Sequence, residues 1–160
     1  MAIRQIRTIG DEILTKKAKP IKEMNDKLKE LIGDMLDTMY ANEGVGLAAP
    51  QVGILKQVVV IDISEEGNEP VILLNPEVIY TDGEQVGSEG CLSVPGKVGI
   101  VKRPNLVRVR AFNENMEPIE VEGEELFARA LIHETEHLDG QLYVDKAEDG
   151  KLYDTEDVME

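Results

Sequence analysis

Apolar residues recur at helical spacing after Asn25: Leu28, Leu31, Ile32, Met35, Leu36, Met39 and Tyr40. This period predicts an amphipathic helix, capped by Asn25 or Asp26 and running to about Ala41, whose stripe is core rather than a partner-binding face. Gly44-Val45-Gly46 ends it. Gln57 to Ser64 and Val71 to Tyr80 then read as strands around the turn Glu65-Glu66-Gly67-Asn68. Gly83 to Gly99 is rich in glycine, which predicts a loop or irregular strand. Val107, Val109 and Ala111 alternate with Arg108 and Arg110, the pattern of a half-buried strand. Ile119 to Glu122 predicts a short strand, and Glu124 to Leu138 a second helix stopped at Asp139-Gly140. Helix, several strands, then helix, without regular alternation, predicts α+β rather than a doubly wound parallel sheet.

At 160 residues the chain fits one domain that can build a core without disulfide staples. We expect a single domain over residues 1–147 and a short acidic tail over 148–160, where Glu148, Asp149, Asp154, Glu156, Asp157 and Glu160 make a solvated terminus. The lone cysteine, Cys91, excludes an internal disulfide framework. Met1 to Thr8 lacks the apolar core of a signal peptide, and no apolar run exceeds the length of Val58 to Ile61, so the expected location is the cytoplasm, with no membrane association. A formal net charge of −15 argues against direct nucleic-acid binding.

The second helix carries His133-Glu134-Thr135-Glu136-His137. Positions i and i+4 lie about 40° apart around a helix and roughly 6 Å apart along it, so two imidazoles there can converge on one cation. Glu134 adjoins the first of them, placed to take a proton from an activated water without being a ligand. The chain has two histidines and both are in this motif; chance would place such a pair with its glutamate in about one chain in 600. Leu126, Ala130, His133 and His137 share one face, which points the imidazoles toward the packed side, where unpaired rings are costly to desolvate. A catalytic site needs a third ligand. Asp145 and Glu148 are downstream carboxylate candidates of the metalloprotease kind, and Cys91, beside Gly90, competes with them. Gly44-Val45-Gly46-Leu47-Ala48-Ala49 follows a helix rather than a strand, which excludes a dinucleotide fingerprint. It reads as a tight loop of small residues, or as backbone that a substrate strand can approach, with Gln51 offering an amide donor.

Three segments together resemble the peptide deformylases: Gly44 to Gln51, Glu89-Gly90-Cys91-Leu92-Ser93, and His133 to His137. The resemblance runs to about Asp145. It implies antiparallel strands packed around the C-terminal motif helix, and a metal-dependent hydrolase that removes the formyl group from the N-terminal formylmethionine of nascent polypeptides, releasing formate. It implies Cys91, His133 and His137 as ligands of a divalent ion, natively ferrous iron, with zinc, nickel or cobalt able to substitute. It further implies Glu134 as the proton-transfer group, the Gln51 side chain and Leu92 backbone N–H as oxyanion donors, and Val45, Gly46 and Gly90 as backbone positions that pair with the peptide. Leu131 and Ile132 are expected along the methionine pocket. Ile132 stands where relatives often carry glutamine, and Glu136 where they usually carry aspartate. Some relatives dock on the ribosome through a basic C-terminal extension; this tail is acidic, so the ribosome is a candidate partner without that docking mode. Readings from other classes are a metalloprotease and a silent metal-binding partner of the nascent chain; the intact Glu134 argues against the latter.

Overall fold

In the computed structural model of this chain, which describes residues 2–154, helix α1 (Asp26–Ala41) begins where the Asn25 side chain accepts the backbone N–H of Leu28 at 2.8 Å. Its stripe buries Leu28, Leu31, Ile32, Met35 and Met39. Tyr40, expected in that stripe, is partly exposed and donates its hydroxyl to Asp62 at 2.6 Å. The buried polar residues Asp34 and Thr38 escape the periodicity because their partners come from the N-terminal segment. Asp34 accepts the Ala2 N–H at 2.7 Å and Arg4 Nε at 3.0 Å, and Thr38 Oγ1 accepts the Arg4 N–H at 2.8 Å.

The strands are β1 (Gly46–Ala48), β2 (Val58–Ile61), β3 (Val71–Asp82), β4 (Gln85–Cys91), β5 (Val94–Arg103), β6 (Leu106–Phe112), β7 (Pro118–Glu124) and β8 (Tyr153–Asp154), with helix α2 (Glu125–Leu138) after β7. One antiparallel sheet has the order β1-β2-β3-β6-β7 and a second has β4-β5-β8. The first sheet lies between the helices. Val58 and Val60 pack with the α1 stripe, while Val59 and Ile61 pack with Ala128, Leu131 and Leu138 of α2. Strand period 2 thus splits one apolar run between two cores.

Two expectations are corrected. Gly83 to Gly99 is not a loop: it forms most of the β4–β5 hairpin, paired from Gln85↔Arg103 to Gly90↔Val98, and only the step from Gly90 to Cys91 is irregular. Its glycines lower strand propensity, but Gly99 lies where a Cβ would come within 2.9 Å of Ala147 Cβ, so the missing side chain lets the flanking segment pack. Gly46 to Ala48, read as part of a tight loop, is a three-residue edge strand because its backbone finds β2. In the acidic segment, Tyr153 and Asp154 pair with Val98 and Lys97, and the Asp154 carboxylate bridges to Lys97. Glu156, Asp157 and Glu160 lie outside the described residues. Helix α2 stops at Gly140, whose φ is 77° and where a Cβ would fall 2.4 Å from the Thr15 carbonyl oxygen.

The N–H of Ala2, together with Arg4, holds the Asp34 carboxyl below its ordinary value against the opposing effect of burial. A depressed folded-state value stabilises the fold above the unfolded carboxylate range, and that contribution is lost as pH falls through the folded value. The stability gap between wild type and Asp34→Asn should therefore be largest near neutral pH and close on acidification. Urea unfolding at a series of pH values measures it, and a gap independent of pH would contradict this account.

Candidate active site

Helix α2 turns His133 and His137 inward, and both are buried. Their Nε2 atoms stand 3.1 Å apart, and Cys91 Sγ, at the end of β4, is 3.3 Å from His137 Nε2. The three possible ligand atoms all lie within 4.8 Å of one another. A tetrahedral ion with bonds of about 2.0–2.3 Å separates its ligand atoms by about 3.3–3.6 Å, so this spacing fits a single ion. The electrostatics agree. At this distance one ring N–H can donate to the nitrogen of the other ring, or a cation can lie between two lone pairs. Burial works against a charged His133, but Glu134, Cys91 and Glu89 outweigh it and hold its pKa well above the ordinary value. Burial, with His133 alongside, holds His137 well below. A ring proton joins the two imidazoles alone; a divalent cation would engage all three donors. Asp145 and Glu148 are not part of this cluster among the described residues.

Glu134 is buried, with Oε2 4.0 Å from His133 Nε2 and Oε1 without a hydrogen-bond partner. Burial raises its carboxyl to about 7. Gly46 is the reason the carboxylate fits, since a Cβ there would lie 2.5 Å from Glu134 Oε2. Gln51, on the single-turn helix Ala49–Val52 that follows β1, is fixed at both ends of its amide. Its Oε1 accepts the Ala48 N–H at 2.9 Å, which sends Nε2 toward Ser93 Oγ at 3.0 Å and Cys91 Sγ at 3.4 Å. Leu92 sits in the turn after Cys91, and Gly44 lets the facing loop come close, because a Cβ there would be 2.8 Å from Leu92 Cδ1.

These residues border a cavity of about 530 Å³. Val45 and Gly46 line one side and Ser88 to Leu92 the other, so β1 and β4, each at the edge of its sheet, both flank it. The α2 wall consists of Leu126, Arg129, Ala130, His133 and Glu134. The expected Leu131 and Ile132 are not on that wall: Leu131 is fully buried in the core between α2 and the sheet, and Ile132 packs against the same core. Leu126, expected on the packed face, is 49% exposed at the cavity.

Sequence reasoning missed the buried group behind His133. Glu89 Oε2 accepts His133 Nδ1 at 2.6 Å and Arg103 Nη2 at 2.7 Å; Oε1 accepts Arg103 Nε at 3.1 Å and Arg129 Nη1 at 2.9 Å. Arg103 also pairs with Glu136 at 2.8 Å, so the glutamate in the less usual position is tied into the same group. Burial would raise Glu89, but the hydrogen bonds from His133 and Arg103 more than offset it and bring the carboxyl to about 2. One signal was available: Arg129 precedes His133 by four residues, and an arginine on the packed face of a helix calls for a buried partner.

Two imidazoles and an adjacent buried carboxylate on one helix, facing a thiol from β4 inside an α+β frame, make a group that could hold a metal ion, an arrangement typical of hydrolases. The polypeptide deformylase family profile matches residues 3–152. The chain is 65% identical over 146 residues to a peptide deformylase of Lachnoclostridium phytofermentans, covering 91% of this chain and 90% of that one. It is 56% identical to a peptide deformylase of Agathobacter rectalis over the whole of both chains. The crystal structure of a peptide deformylase from Legionella pneumophila superposes with a TM-score of 0.89 at 44% identity, over 91% of this chain and 86% of that one. The chain belongs to the polypeptide deformylase family.

Gly46→Ala should leave the fold intact and displace the Glu134 carboxylate. The expected result is a loss of hydrolytic turnover on the order of 10²-fold, as displacement of a group that would carry the proton should give, with far-ultraviolet circular dichroism unchanged. Wild-type turnover in Gly46→Ala would show that Glu134 does not need this contact.

Proposed function

We propose that this protein is a hydrolase that removes the formyl group from the N-terminal formylmethionine of nascent polypeptides and releases formate, using one divalent metal held by Cys91, His133 and His137. The observation that carries this reading is the convergence of those three side chains beside Glu134 in a cavity flanked by two open strand edges. A formylated N-terminus in extended form suits such a cavity, because it can add as a strand between β1 and β4 through the backbone of Val45, Gly46 and Gly90. Leu126, Ala130 and Val98 supply apolar surface for its methionine.

A divalent ion at the three donors supplies Lewis acidity and activates water near neutral pH. The chain's own groups do the rest. Glu134 takes a proton from the attacking water as the oxygen bonds to the formyl carbon. It returns the proton to the amide nitrogen as the C–N bond breaks, leaving a free amine and formic acid, which gives up the second proton of the water to solvent and departs as formate. Gln51 Nε2, oriented by the bond from Ala48, donates to the oxygen that becomes negative, and the Leu92 N–H is the second donor. In this reading ferrous iron is the native ion; a set of one soft thiolate and two imidazoles also accepts zinc, nickel or cobalt. Residues 1–147 act as the catalytic domain. The substrate reaches it from the ribosome in the cytoplasm. None of the described helices is long and apolar enough to cross a membrane.

The test is formate release from a formyl-Met dipeptide by metal-loaded protein, with and without chelator, beside cleavage of an unformylated peptide. Formate release abolished by chelator is expected. Cleavage of internal peptide bonds with no formate would replace this reading by a protease. In the same assay Glu134→Gln should keep its metal and lose about 10²–10⁴-fold in turnover. Near-normal formate release by that variant would remove Glu134 from the proton path.

A further inference from the structure

Of the two arginines that hold Glu89, Arg129 is the one that also borders the cavity. It is buried, at 7% exposure, and stands one helical turn before His133 on α2. Its guanidinium spans to the second sheet: Nη1 donates to Glu89 Oε1 at 2.9 Å on β4, and Nη2 donates to the Val101 carbonyl at 3.2 Å on β5. On the same face of β4 as Glu89, Gly87 clears the approach, since a Cβ there would stand 3.3 Å from Arg129 Nη2. The fork therefore lies against bare backbone and holds one carboxylate and one carbonyl at once.

That placement answers a mechanical question about Glu89. Arg103 grips both carboxylate oxygens, but Arg103 is itself tied to Glu136 of α2. A carboxylate held by that one side chain can tilt with it. Arg129 adds an anchor from a different position on the helix, referenced to the β5 backbone. Charge in the group is balanced as well, since Glu89 and Glu136 face Arg103 and Arg129. Oε2 of Glu89 is thus presented to His133 Nδ1 at a set angle, which fixes the rotation of the imidazole and the direction of Nε2.

We propose that Arg129 is a positioning residue for the metal centre: through Glu89 it sets the orientation in which His133 offers Nε2 to the ion. This rests on the metal reading given under Proposed function. It assigns to Arg129 an effect on metal binding and turnover rather than a direct contact with substrate.

Arg129→Lys is the deciding variant. Lysine keeps the charge and most of the stem, so the group stays balanced and the protein folds, but a single ammonium cannot reproduce the planar fork that reaches both Glu89 and Val101. Cobalt(II) is the probe, added to metal-free protein and titrated against a chelator. The expected result is cobalt binding weakened about tenfold, a visible spectrum altered from wild type, and a thermal midpoint of the metal-free protein close to wild type. Turnover should fall by a similar factor while KM for the formyl-Met dipeptide stays within about twofold. Arg129→Leu, which removes charge and fork together, should weaken cobalt binding at least as much, and its failure to fold would leave the lysine result decisive. Wild-type cobalt affinity and spectrum in Arg129→Lys would overturn the proposal, as would a rise in KM alone, which would make Arg129 a wall of the substrate pocket. A loss of cobalt binding matched by an equal loss of metal-free stability would make its role merely structural and would also overturn it. Wild-type protein that binds no cobalt would instead fail the underlying metal reading and take the proposal with it.

Discussion

Glu89 carries a full negative charge in the interior, between α2 and the second sheet, at 5% exposure. An isolated carboxylate there would take up a proton, because its desolvation is worth several kcal/mol. Four donors prevent this: two come from Arg103 on β5, and one each from Arg129 and the His133 ring, a turn apart on α2. Satisfying one charge therefore requires the hairpin and the helix to meet in a single arrangement. The same arrangement brings Cys91, two residues beyond Glu89 on β4, up to His137. Burial of this group adds little net stability on general grounds, since attraction and desolvation nearly cancel. Its effect is geometric.

Close approach is the second constraint. Gly46 and Gly44 stand where any side chain would strike Glu134 or Leu92. The cleft between the loop after α1 and the turn after β4 is narrow because those two walls are partly bare backbone. The resulting surface has free strand edges on both sides and buried donors at its end, a form suited to an extended chain terminus rather than to the middle of a folded protein.

Much of the fold could be read from the pattern of residues. Both helices, the strands β2, β3, β6 and β7, and the α+β class follow from periodicities that act over a few residues. The exceptions share a cause. The β4–β5 hairpin, the β1 edge strand and the buried Asp34 have local sequences that argue against what they do: glycine-rich stretches and a carboxylate on an apolar stripe. Each is stabilised by a partner outside its own short stretch, among them Ile61 for Gly46, Arg103 for Gln85 and Ala2 for Asp34.

The candidate site divides in the same way. The sequence by itself determined that His133 and His137 face one point with Glu134 at their side, because a helix converts a spacing of four into a common direction whatever surrounds it. With the resemblance, it also singled out Cys91 and Gln51. The tertiary structure alone decided that Glu89 and two arginines stand behind His133, that Arg129 and Ala130 rather than Leu131 and Ile132 face the cavity, and that β1 and β4 leave their edges toward it. Those facts depend on how separate elements pack. Packing is set by the simultaneous burial of apolar faces and the pairing of every buried charge, conditions that no short stretch of chain contains.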